Sequence, residues 1–232
     1  MSQKQKLLKG AYLLHMEEYY DILKKSPLFS DINDTGIKHI LNCLEARVVA
    51  YGKGELIYGV GDIINYAAIV LEGKVEIQNT DNEGNILNVQ LIMPSDAFGT
   101  SYACLNGQNS IMNITAKKKT KIMQLKLTKL FRTEALGCKY ASHMTVNLLK
   151  QTAAMNLAQN IHINIMSQKS IRGKILMYIT TYGENETRVQ SPMNRQELAD
   201  YLGTERSALS RELSKMKKEG IIDYKKNELM IL

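Results

Sequence analysis

The sequence is poor in the residues that mark several common classes of protein. Its three cysteines, Cys43, Cys104 and Cys138, are far apart and form no CxxC pair, which gives no support to a zinc ribbon or an iron–sulfur cluster and predicts free thiols in a reducing cytoplasm. Proline is scarce and 44% of residues are apolar, so the chain is predicted to be globular and ordered. No stretch approaches the roughly 18 uninterrupted apolar residues of a membrane span, and the charged N-terminus lacks the apolar core of a signal peptide.

Histidine is also sparse, and this bears on catalysis. Residues 46–127 contain no histidine, whereas a cupin-type metal enzyme needs two or three of them with a carboxylate inside its β-barrel. The serines and cysteines have no histidine partner at a spacing that suggests nucleophilic catalysis. We therefore predict a protein that is not an enzyme and holds no metal ion.

The chain does have an excess of positive charge and one informative stretch. Its net charge of +7 favours an anionic partner such as nucleic acid. Residues 194–222 predict two short helices joined by a tight glycine turn, which is a helix-turn-helix. Two-fold symmetric DNA is the partner that this motif usually takes.

The ends of these two helices carry capping signals. Asn194 can cap the first helix, and Glu197 three residues later completes a capping box. Gly203 is predicted to form the break, because glycine tolerates the positive φ that a sharp turn often needs. Thr204 is predicted to cap the second helix.

The two helices have apolar faces that would pack against each other. The apolar positions are Leu198, Ala199, Leu202, Leu209, Leu213 and Met216. The N-terminal end of the second helix enters the DNA major groove in this motif, where an arginine can donate two hydrogen bonds to guanine. The residues predicted to contact DNA are Arg195, Thr204, Arg206, Ser207, Ser210 and Arg211. The alternative is an ordinary amphipathic helix pair with a solvated basic face.

Residues 47–127 have a different sequence pattern, in which short runs of β-forming residues are separated by glycine or polar turns. Alternating apolar residues flank a polar turn at residues 81–84, which predicts a hairpin. These residues are Val75, Ile77, Leu87, Val89 and Leu91. Many short strands at close intervals predict a barrel or a jelly roll. Residues 1 to about 45 have helical spacing instead.

Helical spacing returns from about residue 128 and persists to about residue 168. Its apolar positions alternate by threes and fours, which predicts a parallel coiled-coil seam between two copies. The seam residues are Ala141, Met144, Leu148, Gln151, Met155, Ala158, His162 and Ile165. The alternative is one long helix packed on its own domain. Residues 173–182 predict a further helix, and residues 221–232 predict a terminal hairpin, the wing of a winged helix.

Three motifs near the N-terminal side resemble those of a known family. Pro27-Leu28-Phe29 is similar to its opening PLF, and Tyr51–Glu55 followed by Gly59–Asp62 is similar to its YxKGE…xxGD stretch. Tyr66–Ile77 is similar to its YxIxxGxVxI strand pair. With the β-rich domain, the long helix and the winged helix-turn-helix, the chain resembles the Crp/Fnr superfamily of bacterial transcription regulators over nearly its whole length.

The resemblance implies an effector pocket between the β-roll and the long helix. The aligned residues are Gly99, Thr100, Met112, Asn113, Gln159 and Asn160. In cyclic-AMP receptors a glutamate binds the ribose and an arginine binds the cyclic phosphate, whereas Thr100 and Met112 take those places here. A buried phosphate needs a cationic or multidentate donor, so we predict a neutral or weakly charged effector rather than cyclic AMP. The alternative for Gln159 and Asn160 is that they simply face water.

Other subtypes of the family also lack their required residues. An Fnr-type iron–sulfur sensor needs a cysteine cluster near the N-terminus, and no cysteine precedes Cys43. A haem-type relative needs axial ligands, and no histidine lies in the β-roll. Cys104 could be a redox switch, although an isolated cysteine is more often a small buried apolar residue. We expect an unknown small-molecule effector and no haem, iron–sulfur cluster or metal.

Taken together, these features predict an α+β protein in three segments. They are an effector-sensing cyclic-nucleotide-binding-like β jelly roll with N-terminal helices at 1–135, a long dimerisation helix at 136–168 and a winged helix-turn-helix at 169–232. The predicted function is that of a cytoplasmic, homodimeric transcription regulator that binds a palindromic operator in double-stranded DNA. If the protein is an activator, RNA polymerase is a further expected partner. The alternative is an effector-independent DNA-binding protein whose β-roll is only a dimer scaffold.

Overall fold

The computed structural model describes residues 12–80, 86–131 and 138–232. Its contacts divide the chain into two compact units, residues 1–151 and 152–232, and the division falls inside one long helix. The order of elements confirms the predicted fold class, a β-rich domain followed by a long helix and a winged helix-turn-helix. The three predicted segment boundaries stay predictions.

The described part of the N-terminal unit has a β-roll of short antiparallel strands. They are β1 (Arg47–Tyr51), β2 (Leu56–Tyr58), β3 (Ile63–Ile64), β4 (Ala67–Glu72), β5 (Val75–Thr80), β6 (Ile86–Ile92), β7 (Ala97–Phe98), β8 (Gln108–Asn109), β9 (Asn113–Ala116) and β10 (Thr120–Leu125). Two four-stranded sheets have the orders β1-β10-β4-β7 and β2-β9-β5-β6, and β3 pairs with β8. This topology confirms the jelly-roll prediction.

The predicted hairpin is formed by β5 and β6, which pair from Val75 with Ile92 to Thr80 with Ile86. Its turn at residues 81–84 lies outside the described residues. The preceding turn, between β4 and β5, requires Gly73, because its φ is +91° and an added Cβ would lie 2.5 Å from the Lys119 carbonyl oxygen.

Alternation along the strands builds two cores, one on each side of the sheet that contains β4. The core between the two sheets contains Ile57, Ile64, Ala68, Val70, Val75, Ile77, Ile92, Phe98, Ile114, Ala116 and Ile122. The opposite face of β4 and β10 packs against the helical layer through Ile69, Leu71, Met123 and Leu125. Both faces of this sheet are therefore covered, and β4 is buried at every position except Glu72.

The helical layer of this unit is made of short elements. They are α1 (Tyr20–Leu23), α2 (Asp34–Cys43), α3 (Thr100–Cys104) and single 3₁₀ segments at Tyr12–Tyr19, Pro27–Phe29 and Leu127–Phe131. Asn33 caps α2, because its side chain accepts a hydrogen bond of 2.9 Å from the Gly36 amide. Ile37, Ile40 and Leu41 are the buried apolar face of α2.

The long helix α4 (Lys139–Met166) confirms the predicted long helix but corrects its seam. Ala141, Met144 and Leu148 are at most 6% exposed and belong to the core of the helical layer, and Ile165 is buried in the core of the C-terminal unit. The prediction that these four residues face a second copy is therefore wrong. The periodicity arises because the helix packs on its own chain at both ends.

Another face of α4 is exposed. Its members recur at spacings of three and four, and we call them the α4 stripe: Val146, Leu149, Ala153, Leu157, Asn160 and Ile163. Leu149, Leu157 and Ile163 are 62 to 67% exposed. Every residue from 152 to 160 is exposed, so neither core covers the middle of the helix.

The C-terminal unit is a winged helix-turn-helix, as predicted. Its elements after α4 are α5 (Ile171–Tyr182), β11 (Arg188–Gln190), α6 (Arg195–Tyr201), α7 (Arg206–Lys218), β12 (Ile222–Lys225) and β13 (Glu228–Ile231). The last two strands form the predicted terminal hairpin, and β11 adds a third strand that the sequence analysis missed. None of the helices in the described ranges has the length and apolar character needed to span a bilayer.

Candidate nucleic-acid interface

The first helix of the motif begins at the predicted capping box. The Asn194 side chain accepts hydrogen bonds of 2.9 Å from the Gln196 amide and 3.1 Å from the Glu197 amide. The Glu197 carboxylate in turn accepts a hydrogen bond of 2.8 Å from the Asn194 amide. Three backbone donors that the helix itself cannot pair are thus satisfied, and the start of α6 is fixed.

The turn between the two helices confirms Gly203 and corrects Thr204. Gly203 has a φ of +57°, and the amides of Gly203 and Thr204 donate to the carbonyls of Asp200 and Ala199 at 3.1 and 3.0 Å, which is a Schellman motif. The prediction that Thr204 caps the second helix is wrong, because Thr204 completes this motif and Glu205 is the N-cap of α7. Glu205 makes no side-chain capping bond.

The second helix, α7, has one buried and one exposed face. Leu209, Leu213 and Met216 are at most 1% exposed and join the core that α6 supplies with Leu198 and Ala199. The predicted contact residues lie away from that core, with Arg206, Ser207 and Arg211 exposed and Ser210 partly exposed. A shallow groove runs along this face, lined by Ser210, Arg211, Ser214, Lys215 and Lys218.

One arginine from another helix forms ion pairs with two acidic side chains at α7 and its C-terminal cap. Arg172 of α5 donates through Nε to Glu212 and through Nη1 to Glu219, each at 2.8 Å. These hydrogen bonds to Glu212 and Glu219 raise the pKa of the Arg172 guanidinium. The two carboxylates are thereby neutralised and held on the side of α7 that faces α5.

The exposed face of α7 is left with basic groups that form no ion pair with any carboxylate in the described residues. They are Arg206, Arg211, Lys215 and Lys218. Arg211, Lys215 and Lys218 follow at spacings of four and three and therefore share one face of the helix. Lys217 differs from them, since it pairs with Asp223 of β12.

Arg195 connects the start of α6 to the wing. Its guanidinium donates to the Lys226 carbonyl at 3.0 Å and lies 5.4 Å from the Tyr224 ring. Burial lowers the pKa of Arg195, and the nearby charge of Arg206 lowers it further. The residues between β12 and β13 are Lys226 and Asn227, so a tight two-residue turn presents the exposed Lys225 and Lys226 at the tip.

The predicted effector residues are divided between the two units. Gly99 precedes α3 with a φ of +71°, Thr100 is the first residue of that helix, and Met112 packs against the core between the sheets. The Asn113 side chain already accepts a hydrogen bond of 3.2 Å from the Val60 amide. None of these four residues has the charged side chain that an anionic ligand would require.

Gln159 and Asn160 belong to the C-terminal unit and are exposed on α4. The Asn160 amide donates to the Asn156 side chain at 3.0 Å. Their role in effector binding stays a prediction. His162, one turn further on, bonds to the Tyr201 carbonyl at 2.8 Å and stacks on the Tyr201 ring, so it is a packing residue of this unit.

Several features of the interface were missed from sequence, although some left a signal. The spacing of Lys215 and Lys218 after Arg211 could have extended the basic face along α7. The pairing of Arg172 with Glu212 and Glu219 could not be found, since it joins residues 40 and 47 positions apart. In the part of the chain that the structure describes, no cluster of potential metal ligands occurs.

Comparison with known proteins gives matches along most of the chain. The family model of the cyclic nucleotide-binding domain matches residues 48–133, and that of the Crp-like helix-turn-helix domain matches residues 173–232. The chain is 22% identical over 201 residues to the Cyclic AMP receptor protein of Thermus thermophilus, covering 86% of this chain and 89% of that protein. It is 23% identical over 190 residues to the Transcriptional activator protein FnrL of Cereibacter sphaeroides, covering 75% and 71% respectively.

A solved structure shares the fold of the β-roll. It is the N-terminal domain of a transcriptional regulator from Streptomyces coelicolor, with a TM-score of 0.50, 21% identity and coverage of 60% of this chain and 96% of that one. The two family models together cover more than half of the sequence, in the order in which the β-roll and the winged helix-turn-helix occur. The chain therefore belongs to the Crp/Fnr superfamily, as a Crp-like DNA-binding transcription regulator with a cyclic-nucleotide-binding domain.

Proposed function

We propose that the protein acts as a homodimer, that a small effector in the β-roll controls it, and that its two α7 helices bind the half-sites of a two-fold symmetric operator. The observation that carries this proposal is the exposed basic face of α7, from which Arg172 removes the competing carboxylates Glu212 and Glu219. A face with free guanidinium and ammonium groups attracts the phosphates of DNA and leaves side chains available for base edges.

Base recognition is assigned to the first two turns of α7. Arg211 is exposed and forms no ion pair among the described residues, so its guanidinium is available to donate two hydrogen bonds to guanine O6 and N7. Arg206 contacts a base or a phosphate one turn earlier. Ser207 stands where the relatives of the cyclic-AMP and Fnr types carry a glutamate, which can accept a hydrogen bond from cytosine. Because the serine side chain is short, the half-site differs from theirs at that base pair.

Phosphate contacts are assigned to the second half of α7 and to the wing. Lys215 and Lys218 continue the face that Arg211 begins, and Lys225 and Lys226 lie at the tip of the hairpin. Such contacts fix the position of the protein on DNA without specifying sequence. Arg195 bonds to the Lys226 carbonyl at the tip of the wing, and Thr204 lies in the turn before α7. We assign both of them supporting contacts to the DNA backbone.

The proposed effector is a neutral or weakly charged small molecule. The Thermus relative is named as a cyclic AMP receptor, but here Thr100 and Met112 stand where a carboxylate and a guanidinium would hold the ribose and the cyclic phosphate. Each lost charge-assisted contact removes about 1.5–3 kcal/mol of binding. Gly99 and Asn113 of the β-roll supply backbone and amide groups that suit an uncharged polar ligand.

The test is selection of duplex DNA from a random pool by the full chain, followed by the same selection with two variants. Arg211→Ala is expected to cost about 1–3 kcal/mol on the selected site and to relax preference at one position of each half-site. Lys215→Ala is the matched control, because loss of a phosphate contact weakens binding uniformly and lowers the salt slope by about one. A selected motif without two-fold symmetry, or an unchanged profile for Arg211→Ala, contradicts the proposal.

A further inference from the structure

Two cysteines of the helical layer share one histidine. Cys43 is the last residue of α2, His39 lies one turn earlier, and Cys138 directly precedes α4. The His39 Nε2 atom lies 3.1 Å from the Cys138 Sγ atom and 3.4 Å from the Cys43 Sγ atom. Because both sulfurs contact the same nitrogen, they can be no further apart than the sum of these distances.

This arrangement places one proton acceptor beside both thiols. An imidazole nitrogen within hydrogen-bond distance of a thiol can take its proton as that sulfur attacks an electrophile. Cys138 also stands at the start of α4, where its carbonyl accepts from the Ser142 amide at 3.0 Å, and a helix N-terminus favours negative charge. Cys43 is exposed and Cys138 is partly exposed, so both are open to small solutes.

The charged groups near the cluster are of both signs. The Tyr140 ring of α4 lies 5.8 Å from the His39 ring, and the Lys139 ammonium group lies 4.9 Å from the Tyr140 ring. Glu17 pairs with Lys38, the neighbour of His39, and Glu45, two residues after Cys43, pairs with Lys126 and Lys129. Both carboxylates are therefore held by lysines, and neither forms an ion pair with His39 in the described residues.

The third cysteine has a contrasting environment. Cys104 is partly buried at the end of α3 and packs against the core of the helical layer. Burial raises the pKa of its thiol, which keeps it protonated and unreactive. Cys104 therefore serves as an internal standard for the reactivity of the other two.

We propose that Cys43 and Cys138 are a peroxide-reactive pair that closes to an intramolecular disulfide. One thiolate attacks a peroxide oxygen and breaks the O–O bond, which gives a sulfenic acid and releases water after the proton held by His39 is returned. The second thiol attacks that sulfur, the S–O bond breaks, and its own proton leaves with the hydroxide as a second water. Two thiols are oxidised by two electrons in total, and hydrogen peroxide is reduced to two molecules of water.

The bond would join two helices that already touch. A Cβ added to Gly36 of α2 would lie 2.6 Å from the Tyr140 ring, so this side chain of α4 packs on the α2 backbone about two turns before Cys43. A disulfide there ties the end of α2 to the first turn of α4. The chemistry does not depend on the proposed function, although any effect on DNA binding would pass through α4.

The experiment is oxidation of the reduced full chain with one to two equivalents of hydrogen peroxide, alkylation and mass-spectrometric mapping without reductant. We expect a Cys43–Cys138 crosslink within one chain, alkylated Cys104 and the same rate for Cys104→Ser. In Cys43→Ser, a dimedone adduct on Cys138 is expected in place of the disulfide. His39→Gln is expected to slow the reaction by about tenfold and to change its pH–rate profile, because the imidazole no longer takes the thiol proton.

Four results would overturn the proposal. One is oxidation of Cys104 at the rate of the pair, and another is crosslinking only between chains. The third is an unchanged pH–rate profile in His39→Gln, which would make the histidine a packing residue. A stoichiometric metal ion that protects the purified protein from peroxide would assign the cluster to metal binding instead.

Discussion

The α4 stripe is the surface on which we expect two copies to meet, and its leucines allow the expectation to be tested. Leu149 is 67% exposed and Leu157 is 62% exposed in the single chain. Full burial of an exposed leucine side chain contributes about 1.5–3 kcal/mol to the free energy of association. Burial of the exposed two thirds of each of these leucines therefore contributes about 1–2 kcal/mol. Two leucines from each of two copies then contribute about 4–8 kcal/mol, comparable to the roughly 8 kcal/mol of a micromolar dimer.

The perturbation is Leu149→Glu with Leu157→Glu. It removes this contribution and places four carboxylates in the interface, so we expect dimerisation to weaken by at least about a thousandfold, which corresponds to roughly 4 kcal/mol. The matched control is Met155→Glu with Gln159→Glu, which adds the same charge to exposed positions of the same helix outside the stripe. The assay is light scattering at micromolar concentration, with circular dichroism to confirm that both variants are folded.

Two results would refute this reasoning. A dimer that persists in Leu149→Glu with Leu157→Glu would place the interface elsewhere. Equal dissociation of the control would show that the stripe is not the contact: either added charge weakens α4 itself, or the copies meet on the predicted seam at Met155. Substitution of Leu148 cannot decide the question, because Leu148 is only 6% exposed and its loss would damage the core of the N-terminal unit.

The remaining predictions concern the C-terminal unit and the effector. Arg172→Ala frees Glu212 and Glu219 and is expected to weaken DNA binding severalfold. The loss should be largest at low salt, because added salt screens the repulsion between these carboxylates and the DNA phosphates. Electrophoretic mobility shifts should show no such change for Arg188→Ala in the wing sheet. Asn194→Ala is expected to lower the unfolding free energy by about 0.5–2 kcal/mol in urea titrations, with a loss of only a few tenths for Asn194→Gly. Calorimetry with cyclic AMP is expected to give binding weaker than micromolar, and tight binding would contradict the assignment of a neutral effector.

Sequence reasoning succeeded where the decisive interactions are local. The capping box needs only Asn194 and Glu197 three residues apart, and both hydrogen bonds are present. The apolar faces of α6 and α7 follow from helical spacing, and all of their predicted members are buried. The strands of the β-roll follow from alternation, which is a property of neighbouring residues.

It failed where another interaction, near or distant in sequence, decides the position of a residue. Thr204 has a good capping side chain, but its amide completes the Schellman motif with Ala199, so the helix starts later. The periodicity of α4 gave a face but not its partner. Ala141, Met144, Leu148 and Ile165 proved to belong to the chain's own cores, whereas Met155 and Ala158 are exposed. The cluster of Cys138 with His39 spans 99 residues of sequence, which no spacing rule covers.

The exposed middle of α4 has a consequence for its stability. Leu148 is held in the core of the N-terminal unit and Ile165 in that of the C-terminal unit, whereas residues 152 to 160 are exposed and belong to neither core. About two and a half turns of the helix are therefore stabilised by their own backbone hydrogen bonds rather than by core packing. A glycine introduced at Ala154, off the stripe, would weaken these turns by about 1 kcal/mol without removing a core contact.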